Sequence, residues 1–142
     1  EMGWGLDASL ELEKDLALVL DIHHHWIRDE EYISANDDRV KRVIDSWRGQ
    51  RPTLHYSYSR DEHLAVANLG NKTHTEMHDI KMLLERGCKK QKLRAHSDLL
   101  PNRAVNDWAL SFSENFDIQT EAKGKNMAQE QLYRQAKENS VI

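Results

Sequence analysis

Three short apolar stretches, LALVL (16–20), PTLHY (52–56) and FDIQT (116–120), alternate along this chain with segments of helical periodicity. Strands separated by helices cannot pair as tight hairpins; they pair in parallel, with the helices as crossovers, so the alternation predicts βαβ units and a parallel sheet. The first stretch, apolar throughout, reads as a strand buried on both faces. The second opens on Pro52, which cannot donate to a ladder but is tolerated at a strand start. The third sets Phe116, Ile118 and Thr120 on one side against Asp117, Gln119 and Glu121 on the other.

The intervening segments carry helical stripes. Leu6 and Leu10 read as the tail of a helix ending near Lys14. Val40, Val43, Ile44 and Trp47 mark a helix over 39–47 that Gly49 stops. Asn102 is placed to cap a helix carrying Val105, Trp108, Ala109 and Phe112, and 127–137 reads as a closing helix. Residues 57–100 form a long polar connection with one expected helix at 75–86. A connection of that length inside a compact domain is expected to be an insertion or a functional loop.

All three strands run out into residues that bind metals: Asp21 and His24 after the first, His55 at the end of the second, Glu121 after the third. In β/α barrels, functional groups cluster at this C-terminal rim. Carboxylates with imidazoles suit Mn, Fe, Zn or Mg, and a thiolate site is absent. Asp21 and His24, on a tight turn leaving the strand, can aim at one point while His23 faces elsewhere and orients a ligand. Any one of these histidines alone reads as well as a surface or hydrogen-bonded core residue; the joint pattern on three strand ends is what points to a metal.

Lys and Arg number 20 against 24 Asp and Glu, a formal charge of −4, which is not the footprint of a dedicated nucleic-acid binder. Carboxylates that hold cations are neutralised when loaded, so a phosphate-bearing substrate stays compatible with that charge. The longest apolar run, 16–20, is far short of the roughly 20 residues of a membrane helix. A single cysteine, Cys88, builds no disulfide framework, and a reducing cytoplasmic setting is expected. A chain that opens on Glu1 rather than Met points to an upstream portion.

Four motifs, DIHHHW (21–26), LHYS (54–57), RAHSD (94–98) and TEAKGKN (120–126), occur in an order that resembles the UV-damage endonucleases, a DNA-repair family related in fold to the endonuclease IV apurinic-site enzymes. The resemblance implies a TIM (β/α)8 barrel of which 1–142 is a single partial domain, roughly the C-terminal half, with about three β/α units and 57–100 as an insertion. It also implies up to three divalent ions, manganese first with zinc and magnesium as alternatives, and hydrolysis of the phosphodiester 5′ to a UV photoproduct in double-stranded DNA. By motif, Asp21, His24, His55, His96 and Glu121 fall on the family's metal ligands. Thr53 stands where the family carries a lysine. The family's other ligands lie on earlier strands, so a missing N-terminal half is an expected partner, without which this chain is not expected to be active.

His23, His25, Asp98, Lys123, Tyr56 and Arg94 are candidates for supporting a ligand or touching DNA. Asp98 reads as a further ligand, an orienting carboxylate or an exposed loop residue, and Lys123 as a phosphate contact or a solvated rim lysine. Arg94 ends a basic run with Arg86, Lys89, Lys90 and Lys92 that either tracks phosphates or is a solvated loop. Tyr56, Tyr58 and Trp26 are available to stack on an extruded base or to pack the core, and His74 with His78 forms an i, i+4 pair on the expected helix. Two other readings stand beside the nuclease: a sugar isomerase or epimerase of the xylose-isomerase type, and an inactive remnant that keeps metal-site residues.

Overall fold

Strands β1 (Leu20–Asp21), β2 (Thr53–Tyr56) and β3 (Asp117–Thr120) form one parallel sheet in the order β1-β2-β3, as the alternation predicts. The structure is a computed structural model and describes residues 5–139. Leu20 pairs with Leu54 and Asp21 with His55; Thr53 through Tyr56 pair with Asp117 through Thr120. The backbone N–H of Glu121 donates to Tyr56 O at 2.8 Å and extends the second ladder by one residue.

Side chains alternate across a strand, so this register sorts the sheet into two faces. Leu20, Leu54 and Tyr56 are buried on one face, with Ile118 partly buried beside them. The opposite face carries Val19, Asp21, Thr53, His55, Asp117, Gln119 and Glu121, none of them buried. A parallel sheet is normally covered on both sides; here, among the described residues, the helices cover one.

The doubly buried strand expected at 16–20 is corrected by the structure. Leu18 and Leu20 are buried, but Leu16 is 54% and Val19 52% exposed. The strand is short because α3 (Asp38–Ser46) captures its backbone: Ser46 Oγ accepts from Leu18 N–H at 2.9 Å and Trp47 Nε1 donates to Leu18 O at 2.6 Å. Ahead of it lies α1 (Leu6–Ser9) with a 3₁₀ turn at Leu10–Leu12, tied to α3 by the Arg42–Glu13 pair.

The tight turn expected after Asp21 is instead a helix, α2 (Ile22–Asp29), whose N-cap is Asp21 itself: Oδ1 accepts from His24 N–H at 2.9 Å. Ile22, Trp26 and Ile27 bury its inner side. Residues 57–100 are not one loop with one long helix. They fold as α4 (Asp61–Leu64), 3₁₀ turns at Ala65–Ala67 and Gly70–Lys72, α5 (Ile80–Glu85) and α6 (Lys90–Leu93). Asp79 caps α5, accepting from Lys81 N–H, so His74 and His78 precede the helix and do not share a helical face. Leu64, Ala67, Leu69, Ile80, Leu83 and Leu93 of this segment enter the same apolar cluster as Leu20 and Leu54.

Asn102 caps α7 (Arg103–Leu110) through Val105 N–H at 3.0 Å, as its position in the sequence predicts, and α8 (Asn126–Glu138) closes the fold. Buried polar groups join these elements. Tyr56 Oη donates to Asn106 Oδ1 at 2.6 Å, and Asn106 Nδ2 donates to Leu100 O and to Gln135 Oε1 of α8. An aromatic chain, Trp26–Tyr32–Trp108–Phe112–Phe116, runs through the interior with ring centroids 4.9–6.0 Å apart. Among the described residues, no helix is long and apolar enough to cross a membrane.

Candidate metal centre

The register that orders the sheet also builds the site. Asp21 and His55 are direct partners at the ends of β1 and β2, and Glu121, just past β3, has the same pleat parity as Gln119, the partner of His55. Three side chains therefore leave one rim on one face. One ligand atom from each of Asp21, His55 and Glu121 lies within 4.8 Å of the others. All three are half-buried, and His55 Nδ1 is 3.4 Å from Glu121 Oε2.

Two carboxylates so close do not readily ionise together. The Glu121 carboxyl is pushed above its ordinary value, first by burial and then by the Asp21 charge and a hydrogen bond between the two groups; His55 and His96 pull the other way. The pair needs a positive charge between its oxygens, and a proton or a divalent cation supplies it. Carboxylate oxygens with one imidazole suit a hard or borderline divalent ion.

His24 and His96 do not enter that triad. They line an adjoining cleft of about 420 Å³ that Asp21 shares with them. His24 Nε2 is buried there with no hydrogen-bond partner, an orphan that a metal would satisfy. The His96 segment is stitched to the end of β2 by a Ser59–His96 bridge and by Ser97 N–H donating to Tyr58 O at 2.8 Å.

His23 is buried and sits at the junction of these pieces. Ser59 Oγ donates to Leu93 O at 2.7 Å and so accepts from His23 Nε2–H at 3.0 Å, while Ser57 donates to Nδ1 at 3.0 Å. This fixes a neutral ring with its proton on Nε2. Burial, helped by the neighbouring His96 and His24, lowers its pKa to about 3. Ser57 and Ser59, unassigned from sequence, continue the every-second-residue spacing of His55, and that spacing in HYSYS is the signal that could have found them.

The other candidates are placed elsewhere. His25 points away from the centre, its ring nitrogens 3.0 Å from Asp29 and 3.1 Å from Glu31. Asp98 is exposed and pairs with Arg60 at 3.2 Å, and Lys123 is exposed. Tyr56 lies in the core, fully buried and bonded to Asn106, not facing solvent. Tyr58 and Trp26 are also buried. Arg94 lines the cleft with His24 and His96.

The profile of the UV-endonuclease UvdE family matches residues 1–142, the whole chain. The chain belongs to this family. No curated protein and no solved structure gives a match. Membership in the UV-endonuclease UvdE family points to a DNA endonuclease with DNA as its substrate, and it favours the nuclease over the sugar isomerase. In a UvdE-family chain, the Asp21–His55–Glu121 triad stands as a possible metal site at the strand ends.

Proposed function

We propose that this chain carries part of the metal centre of an endonuclease that hydrolyses the phosphodiester 5′ to UV photoproducts in double-stranded DNA. The observation that carries the reading is the convergence of Asp21, His55 and Glu121 on one rim of a UvdE-family chain. Asp21, His55 and Glu121 would hold one divalent ion, and His24 and His96, which line the adjoining cleft, would serve a neighbouring one; manganese is the proposed ion. Bound divalent ions supply a water of lowered pKa and stabilise negative charge on the phosphate and leaving group.

The chain's own residues orient and select. Asp21 ties the end of β1 to the start of α2, so its carboxylate and His24 are positioned together. His23, with Ser57 and Ser59, locks α2 to the end of β2 and to Leu93, holding the four proposed ligands of those elements in mutual register. Thr53, on the same face two residues before His55, leaves no ammonium at the place where the resemblance implies a lysine.

The three strands are proposed to be part of a (β/α)8 barrel whose remaining strands, on an N-terminal half, cover the open sheet face; 57–100 is an insertion within that one domain. Exposed Val19, two residues before Asp21 on the same open face, supports this. A single cysteine fits the reducing cytoplasm proposed for it.

The test is nicking of a UV-irradiated duplex with Mn²⁺ by the protein at its full natural length, alongside His55→Ala and Glu121→Ala. The wild type nicks and each variant loses at least about 100-fold in rate, the upper end of the cost of losing a group that only orients a metal ligand. An intact damaged strand with wild type, or normal nicking by both variants, overturns the assignment.

A further inference from the structure

The basic run of residues 86–94 is not one surface. Arg86 donates to Ala67 O at 3.1 Å, Lys90 pairs with Glu30 at 2.9 Å, and Lys89 and Lys92 are exposed. Arg94 alone of the five lines the cleft beside the proposed centre, with Asp21, His24, Gln91 and His96. Its Nε is shielded from solvent with no hydrogen-bond partner, the residue as a whole is half-buried, and among the described residues it enters none of the ion pairs.

The shielded Nε–H, left unpaired, has lost its hydration and gained nothing in exchange, while the half-buried side chain still reaches the cleft. Asp21, the carboxylate on the cleft, already accepts from His24 N–H and belongs to the triad. The remaining polar lining groups are imidazoles and a carboxamide, beside the apolar Ile27 and Ala95, and none of them neutralises a guanidinium. What fits the cleft is an anion with several acceptor oxygens in fork geometry, and phosphate oxygens meet that requirement. At about 420 Å³, the cleft has room for a phosphodiester group with part of its water.

We propose that Arg94 is a phosphodiester-binding residue, its guanidinium holding non-bridging oxygens of one phosphate in the cleft beside the Asp21–His55–Glu121 centre. The proposal rests on the endonuclease reading for the identity of the phosphate as a DNA backbone phosphate. It separates Arg94, as a built contact, from the lysines of the same run, which meet DNA only through the diffuse field of the surface.

The side-chain Nε–H resonance of Arg94 in the ¹⁵N-labelled, metal-free 142-residue chain tests it, with the dinucleotide TpT, a single phosphodiester, as the probe and inorganic phosphate as a second. Saturable shifts of the Arg94 Nε–H and of the His24 and His96 signals are expected. Arg94→Gln weakens TpT binding by about tenfold or more and Arg94→Lys does not restore it, whereas Lys92→Gln changes it by less than about twofold. The wild-type resonance reports even if a variant fails to fold. A non-saturable Arg94 shift, or equal TpT binding by wild type and a folded Arg94→Gln, overturns the proposal. Saturable phosphate binding without TpT binding also overturns it, as an adventitious ion only. Nicking separates the two readings: if His55 and Glu121 are required while Arg94→Gln nicks at wild-type KM, the Arg94 proposal fails and the endonuclease stands. If Arg94 binds TpT but the full-length protein never nicks, the endonuclease fails and the Arg94 site stands.

Discussion

At the residue scale, the decisive pair is Asp21 and Glu121. Each is set on the rim by its strand, and without a cation burial and the Asp21 charge raise the cost of ionising Glu121. Glu121→Gln is expected to stabilise the metal-free chain by on the order of 0.5 kcal/mol, after allowance for solvent screening at a half-exposed site, while weakening Mn²⁺ binding by at least about tenfold. Chelator-treated thermal melts beside Mn²⁺ titrations read these opposite effects; a variant that loses stability without loss of metal affinity contradicts the pairing. His23 gives a pH signature. The unfolded chain protonates this ring near pH 6.5, the folded one only near 3, so the unfolded state binds the extra proton in between. Stability from this group is therefore present above about pH 6.5 and falls by up to about 1.4 kcal/mol for each pH unit below it. His23→Gln, melted with chelator from pH 7 to 4, is expected to show a shallower fall, and an unchanged slope contradicts the buried neutral ring. These roles were unequally legible. Asp21, His24, His55 and Glu121 stand at strand ends in the sequence. Ser57 and Ser59 carry no charge or bulk; their spacing from His55 marks a shared face, and the fold shows that what they hold is His23.

At the scale of elements, packing and caps decide where sequence patterns begin and end. Strong stripes with a cap were readable: 39–47 forms as Asp38–Ser46, and Asn102 caps α7. Two boundaries were not, for one shared reason, since backbone groups were taken by partners remote in sequence or doubly used. Leu18 gives its N–H and C=O to Ser46 and Trp47, so the strand begins only at Leu20. Asp21 is at once the last strand residue and the cap of α2, so no turn residues announce that helix. Asn102 shows the weight of such contacts: its Nδ2 also serves Tyr58 Oη, Thr73 O and Glu76 O. Asn102→Ala is expected to cost about 2–4 kcal/mol, the lost cap plus unsatisfied buried acceptors, by denaturant unfolding. Gly124 holds the Glu121 segment against the His96 segment, its N–H donating to Asp98 O at 2.6 Å. An added Cβ would press into that carbonyl and lie 2.9 Å from Leu99 Cδ2. Gly124→Ala is expected to cost about 1–3 kcal/mol and to weaken metal binding with it; wild-type stability and affinity would show that the close approach is unimportant.

At the scale of the whole molecule, the sheet is covered on one face only among the described residues. Helices cover the Leu20–Leu54–Tyr56 face and leave the ligand-bearing face open, with Val19 52% exposed on it. The βαβ alternation made the parallel sheet legible. What covers the second face was not, because three strands carry no information about the curvature that closes a barrel. If that face is the barrel interior, Val19→Lys is tolerated within about 0.5 kcal/mol in this chain but costs the full-length protein several-fold more, about 2–4 kcal/mol, where the lysine would be buried. Equal tolerance in both forms contradicts the barrel.

The central claim, that Asp21, His55 and Glu121 form a divalent-ion site, is tested most directly by Mn²⁺ titration of the 142-residue chain, followed by EPR of the free ion at neutral pH. Saturable binding is expected in wild type, at least about tenfold weaker in Glu121→Gln and in His55→Ala, with Asp98→Asn, whose exposed carboxylate is outside the triad and paired to Arg60, close to wild type. No saturable binding, or identical binding in all four proteins, would contradict it.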